Sequence, residues 1–145
     1  MVAYLDTSVV LQHILRGDIA IRHAFAVGRV VTSELTRIES CRVIHRYRLH
    51  GDLDDDGLVA ATDRLDAVLA GVAVADLSRA VRTRAMGSFP VVVGTLDALH
   101  LATALLYAES YLDSAANEQV LVFSRDVAMN RCAAALGFPV PLRGE

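Results

Sequence analysis

MVAYLDTSVVLQHILRG, residues 1–17, is the stretch from which the architecture can be read. Val2 to Leu5 form a short apolar run of the kind that makes a buried strand. The chain then passes through Asp6, Thr7 and Ser8 into a segment whose apolar residues Val10, Leu11, Ile14 and Leu15 recur at helical spacing. A strand that empties directly into a helix opens a βα unit, and the alternation repeats along the chain. Strands are expected near 2–5, 30–32, 72–75 and 120–123, with a fifth at 139–141. Helical spacing between them is carried by Leu35 and Ile38, by Leu65 and Leu69, and by Leu96, Leu99, Thr103 and Leu106. Strands joined through helices run parallel, so the expected class is α/β with a central parallel sheet of four or five strands. The polar stretch from Leu49 to Gly57 reads as a loop.

At 145 residues, 54% hydrophobic and 21% charged, the sequence suits one compact domain over 1–145. It has no internal repeat and no linker-like segment. Cys41 and Cys132 lack metal or disulfide spacing and are expected to be buried free thiols. No basic leader precedes an apolar run, and no stretch of about 18 apolar residues occurs, so a cytoplasmic location without membrane insertion is expected. The formal charge of −3 runs against phosphate neutralisation as the basis of nucleic-acid binding, unless the acids themselves gather cations. All 14 basic residues are Arg; Lys is absent. A phosphoacceptor receiver domain is thereby disfavoured, since it needs a late Lys. Ser8, two residues after Asp6, removes the Asp-x-Asp of haloacid dehalogenase phosphatases. Glycine-rich nucleotide loops and a G-x-S-x-G elbow are absent as well, and the five histidines read as scattered structural residues, with His100 a helix residue beside the acidic site.

Open α/β sheets bind ligands at the carboxyl ends of their strands. Asp6 ends the first strand, and Ser124, Arg125 and Asp126 end the fourth. Each acid has a structural alternative. Asp6 and Asp126 could cap helices, and Asp97 follows a possible cap at Thr95. Glu39 lies mid-helix, one turn from Leu35 and from Val43 on an apolar face, where a carboxylate costs several kcal/mol unless matched, with Arg37 and Arg42 as ordinary partners. Taken together, two acids come from strand ends and two from flanking helices. Clustered carboxylates need compensation, and their hard oxygens suit Mg2+ or Mn2+, which support phosphodiester hydrolysis.

Four segments, YLDTSVV, SELTRIES, TLDALHLATAL and VFSRDVAMNRCAAALGFPV, resemble in their order the PIN-domain nucleases and, within them, the VapC-type toxins of bacterial toxin-antitoxin pairs. TLDALHLATAL is the most specific; Gly51 to Val93 contributes little. The resemblance implies a three-layer α/β/α Rossmann-like domain and a metal-dependent endoribonuclease. It implies that Asp6, Glu39, Asp97 and Asp126 bind Mg2+ or Mn2+ and position the attacking water, with Ser124 supplying a hydroxyl where relatives often carry Thr. An RNA substrate, a homodimer and a cognate antitoxin covering the site are implied by the same resemblance. Arg37, Arg42 and Arg125 are expected to contact RNA phosphates because they neighbour the acids in sequence. Two alternatives stand beside this reading. One is a catalytically silent PIN fold that only binds. The other is a calcium-binding helix-loop-helix, since Asp52, Asp54, Asp56 and Gly57 fit the start of an EF-hand loop, although the twelfth position is Asp63 rather than Glu and Ala60 offers no ligand.

Overall fold

A computed structural model of the protein describes residues 1–112 and 118–143. In chain order the elements are β1 (Val2–Leu5), α1 (Thr7–Arg16), α2 (Ala20–Val27), β2 (Arg29–Ser33), α3 (Leu35–Leu49), α4 (Asp55–Ala70), β3 (Ala73–Ala75), α5 (Arg79–Ala85), α6 (Thr95–Leu112), β4 (Val120–Phe123) and α7 (Val127–Ala135). The four strands pair in parallel in the order β3-β2-β1-β4. All four β1 side chains are buried, as expected of an inner strand covered on both faces. Ala3 and Leu5 point into a core with α1, α2, α3 and α4, through residues such as Ile14, Ile21, Ile44 and Leu65. Val2 and Tyr4 point the other way, to Leu101 and Ala104 of α6 and Met129 and Ala133 of α7. This period-two alternation produces the three α/β/α layers. Among the described residues, no helix is long and apolar enough to cross a membrane.

Three expectations are corrected. Residues 139–141 form no strand: Pro139 and Pro141 lack the N–H groups a ladder needs, and the stretch reaches the sheet through the Pro139 carbonyl, which accepts from Val122 N–H at 3.0 Å. The loop expected from Leu49 to Gly57 is shorter than that, His50 to Asp54, because α3 runs through Leu49 and α4 begins at Asp55. Its acids serve that helix start. Asp54 caps α4 by accepting from Gly57 N–H at 2.7 Å, and Asp55 takes two bonds from Arg48 at 3.0 and 2.7 Å. Asp56 and Asp63 both lie within α4, so the calcium-loop alternative fails: its coordinating positions are spread along a helix. Of the two thiols, Cys132 is buried but Cys41 is exposed on α3.

Replacing Asp54 by Ala should therefore lower stability by about 1 kcal/mol in urea unfolding, the usual value of an N-cap. Calcium should leave the midpoint of the parent protein unchanged; a calcium-dependent rise abolished by Asp54→Ala would restore the helix-loop-helix reading.

Candidate active site

The strand order reverses direction between β1 and β4, which opens a crevice at the carboxyl edge of the sheet. Because every strand points the same way, α1, α3 and α7 all begin at this edge, and α6, which feeds β4, begins there as well. The edge receives Asp6 from the end of β1, Ser124 and Asp126 from the end of β4, Glu39 one turn into α3 and Asp97 in the first turn of α6.

Asp6 occupies the cap position of α1 in an extended conformation, yet its side chain caps nothing. Its Oδ2 instead accepts from the hydroxyls of Ser8 and Ser124, both at 2.7 Å, and the residue is only 4% exposed. Ser8 in turn accepts from Arg125 N–H at 2.9 Å, and Ser124 from Asp126 N–H at 2.9 Å. Two hydroxyls thus clip the loop after β4 onto the acid after β1. Asp126 does cap, accepting from Met129 N–H at 2.9 Å, and is exposed. Asn130, one turn further on, donates to the Ser124 carbonyl at 2.8 Å, and its buried Oδ1 has no partner among the described residues.

Glu39 is matched differently from expectation. Arg37 bonds Asp66 at 2.9 Å, Arg42 is exposed, and Arg125 is engaged with Asp18 at 2.8 and 3.0 Å. Glu39 Oε1 accepts instead from Thr7 Oγ1 and from His100 Nε2, each at 2.7 Å. Tyr4 OH lies 2.9 Å from His100 Nδ1, so both ring nitrogens are satisfied whether the imidazole is neutral or charged. His100 is 1% exposed, and its Nε2 is 3.6 Å from Asp6 Oδ1. Burial opposes charge on both partners. For Glu39 it is outweighed by the His100 and Thr7 hydrogen bonds, which hold the carboxyl below its ordinary pKa. For His100 it is outweighed by the Glu39 bond and the charges of Asp6, Glu39 and Asp97, which raise the imidazole. The sequence placed His100 beside the site but not its role, and gave Thr7 none, although His100 stands three positions after Asp97 on the same helix face and Thr7 directly follows Asp6.

Asp97 has no such match. Partial burial, then the charges of Asp6 and Asp126, push its pKa from 3.8 to about 6, with Glu39 adding to the rise and His100 only partly opposing it. As they stand, no three His, Cys, Asp or Glu side chains among the described residues form a ready cage for an ion. The donor chemistry nevertheless suits a hard divalent cation. Mg2+ characteristically takes one or two carboxylates and keeps its waters, and each acid retains an oxygen outside the hydroxyl and imidazole bonds described above.

Residues 3–134 match the PIN domain family. The chain belongs to that family. PIN domains are nucleases, hydrolases of nucleic acids that generally use divalent metals. No curated protein matches the sequence. Among solved structures, the crystal structure of VapBC2 from Rickettsia felis bound to a DNA fragment from its promoter contains a similar chain. The likeness has a TM-score of 0.66, covers 97% of this chain and 97% of that one, and carries 12% identity, so it is a likeness of fold.

In this PIN domain the folded state opposes the charge of Asp97. The associated stability is fully present below pH 3.8 and is lost as pH rises through about 6. Asp97→Asn should therefore raise the unfolding free energy at pH 7.5 in chelator by about 1 kcal/mol, after discounting for solvent screening of a half-exposed group, and change it little at pH 4. An equal change at both pH values would show that charge crowding at Asp97 is not the cause.

Proposed function

We propose that the protein is a VapC-type toxin: an endoribonuclease dependent on Mg2+ or Mn2+, acting in the cytoplasm as a homodimer of one-domain chains and neutralised by a cognate antitoxin that covers its acidic edge. The observation that carries the catalytic part is the crowding of Asp6, Asp126 and Glu39 around Asp97, which holds that carboxyl near 6. Such crowding at the switch point of a parallel sheet is costly, and a bound divalent cation relieves it. The antitoxin and the assembly are supported by the fold shared with a chain of the VapBC2 complex.

On this reading Asp6, Glu39, Asp97 and Asp126 would hold the metal, which supplies Lewis acidity at the phosphodiester and lowers the pKa of the attacking water. The rest falls to the chain's own groups. Ser8 and Ser124 orient Asp6, leaving its Oδ1 toward His100. Ser124 acts as a positioning residue, since its hydrogen goes to Asp6 and its oxygen to the Asp126 amide. His100 and Thr7 keep Glu39 ionised and fixed. One water is consumed per bond cut: its oxygen joins phosphorus and the ester oxygen departs with a proton.

Purified protein should cut RNA with Mg2+ or Mn2+ and stop when chelator is added. Asp97→Asn should lower the rate at least about a hundredfold, as expected for loss of a group that stabilises the transition state, while the circular-dichroism spectrum stays that of the parent. Full cutting by that variant would sink the assignment of Asp97. A folded parent protein that binds RNA without cutting it would make this a silent binding module.

A further inference from the structure

We propose that Tyr4 is a positioning residue of the acidic site: acting through His100, its phenol keeps a hydrogen on Nε2 for Glu39 Oε1, so that Glu39 Oε2 is left for the cation. This role rests on the metal-dependent nuclease reading and brings a residue of β1 into the site.

The surroundings of Nε2 decide where its hydrogen lies. Thr7 has one hydroxyl hydrogen, and its shorter contact, 2.7 Å, is to Glu39 Oε1 rather than the 3.2 Å one to Thr36. With that hydrogen committed, the Thr7 oxygen faces Nε2 at 3.0 Å as an acceptor. Glu39 Oε1 faces it at 2.7 Å, and Asp6 Oδ1 stands 3.6 Å away. Three accepting oxygens therefore surround Nε2, and a ring nitrogen presenting a lone pair to them would be repelled. The hydrogen belongs on Nε2. Oε1 then receives two hydrogens, whereas Oε2 takes no hydrogen bond among the described residues.

A neutral imidazole has a single N–H, so this placement needs a group at Nδ1 that supports it. Tyr4 supplies one at 2.9 Å, from an inner strand whose four side chains are all buried. Burial above all, then the charge of Asp6, holds the phenol well above its usual pKa, so it keeps its own hydrogen. That hydrogen has two acceptors: His100 Nδ1, and the Thr103 hydroxyl one turn along α6, which also meets the phenol. Thr103 gives its hydrogen to the Leu99 carbonyl at 2.7 Å, so toward Tyr4 it only accepts. If the phenol donates to Nδ1, the ring is neutral with its hydrogen on Nε2. If it donates to Thr103, the phenol oxygen accepts from Nδ1 and both ring nitrogens carry hydrogens. Either way Nε2 faces Glu39 as a donor. Only a group that both donates and accepts secures this. Phe in its place would keep the edge-on contact of the two rings, whose centroids are 6.0 Å apart with planes at 73°, and lose the hydrogen bond.

The test is a double-mutant cycle in Mn2+ affinity, read from the electron-paramagnetic-resonance signal of free Mn2+ with no RNA present. Tyr4→Phe, which removes only the hydroxyl, should weaken Mn2+ binding at least about tenfold, as is usual for a partner behind a metal ligand. His100→Gln keeps a donor near the Nε2 position and needs no phenol to fix a tautomer, so adding Tyr4→Phe to it should cost no further affinity. Losses that add across the cycle, or an unchanged affinity in Tyr4→Phe, would overturn the proposal. A second measurement needs no substitution. Nitrogen NMR of the His100 ring in the parent protein should show a hydrogen on Nε2 at neutral pH, and its absence would overturn the proposal as well. A parent that cuts RNA while Tyr4→Phe binds Mn2+ as tightly as it does leaves the ribonuclease reading standing without a role for Tyr4. A parent whose Mn2+ binding depends on Tyr4 but which cuts no RNA keeps that role and loses the ribonuclease. A parent that binds no Mn2+ overturns both.

Discussion

The two 2.7 Å hydrogen bonds that Glu39 accepts from Thr7 and His100 hold the carboxyl edge of this sheet together. They tie the helix after β2 to the helix after β1 and to the helix before β4. A half-buried carboxylate facing a sheet would otherwise cost several kcal/mol. With a buried imidazole, itself braced by Tyr4 on β1, that cost is offset inside the protein. Thr7 also lies 3.2 Å from Thr36, which pairs with Thr32 at 2.7 Å, and Thr32 donates to the Leu5 carbonyl at 2.7 Å. A line of hydroxyls therefore runs from the acid back into the β1–β2 pairing, so the position of Glu39 is set by the sheet itself.

The acids consequently differ in how far the protein matches them. Glu39 has an imidazole and a hydroxyl, Asp6 two hydroxyls, and Asp126 a backbone amide. Asp97 has only a distant opposing charge against three like ones. Electrostatic strain is thus concentrated on one residue in the first turn of α6, where a helix N-terminus provides modest relief. Removing that strain by substitution and relieving it with a cation are opposite solutions to the same local problem, and only the second keeps the carboxylate. Such unrelieved charge at a site costs some of the stability of the chain that carries it.

How much of this could be read from sequence depended on whether the information was local. Strand β1 and the strand-end acids were legible because period-two burial and the parallel rule act over a few residues. Glu39 was legible as a misplaced charge, but its partner was not. Arg37, two positions away, faces elsewhere on the helix, whereas His100 is brought in by the fold from 61 positions away. The acids around Asp54 left two readings open because a helix cap and a cation loop draw on the same residues, and the start of α4 decides for the helix cap. Pro139 and Pro141 were the neglected signal against a fifth strand. The exposure of Cys41 depends on which face of α3 packs inward, and that helix carries apolar and charged residues on nearly every side.

Net charge was the least informative number of all. The value of −3 averages the acidic crevice with the stretch Leu77 to Leu96, which carries Arg79, Arg82 and Arg84 and no acid. Around Asp97 carboxylates repel one another, whereas along α5 Arg79, Arg82 and Arg84 make no ion pair with a carboxylate among the described residues. These two fields act over distances comparable to the Debye length, about 8 Å at physiological salt. Their separate positions, rather than their sum, therefore set the potential at each face of the protein.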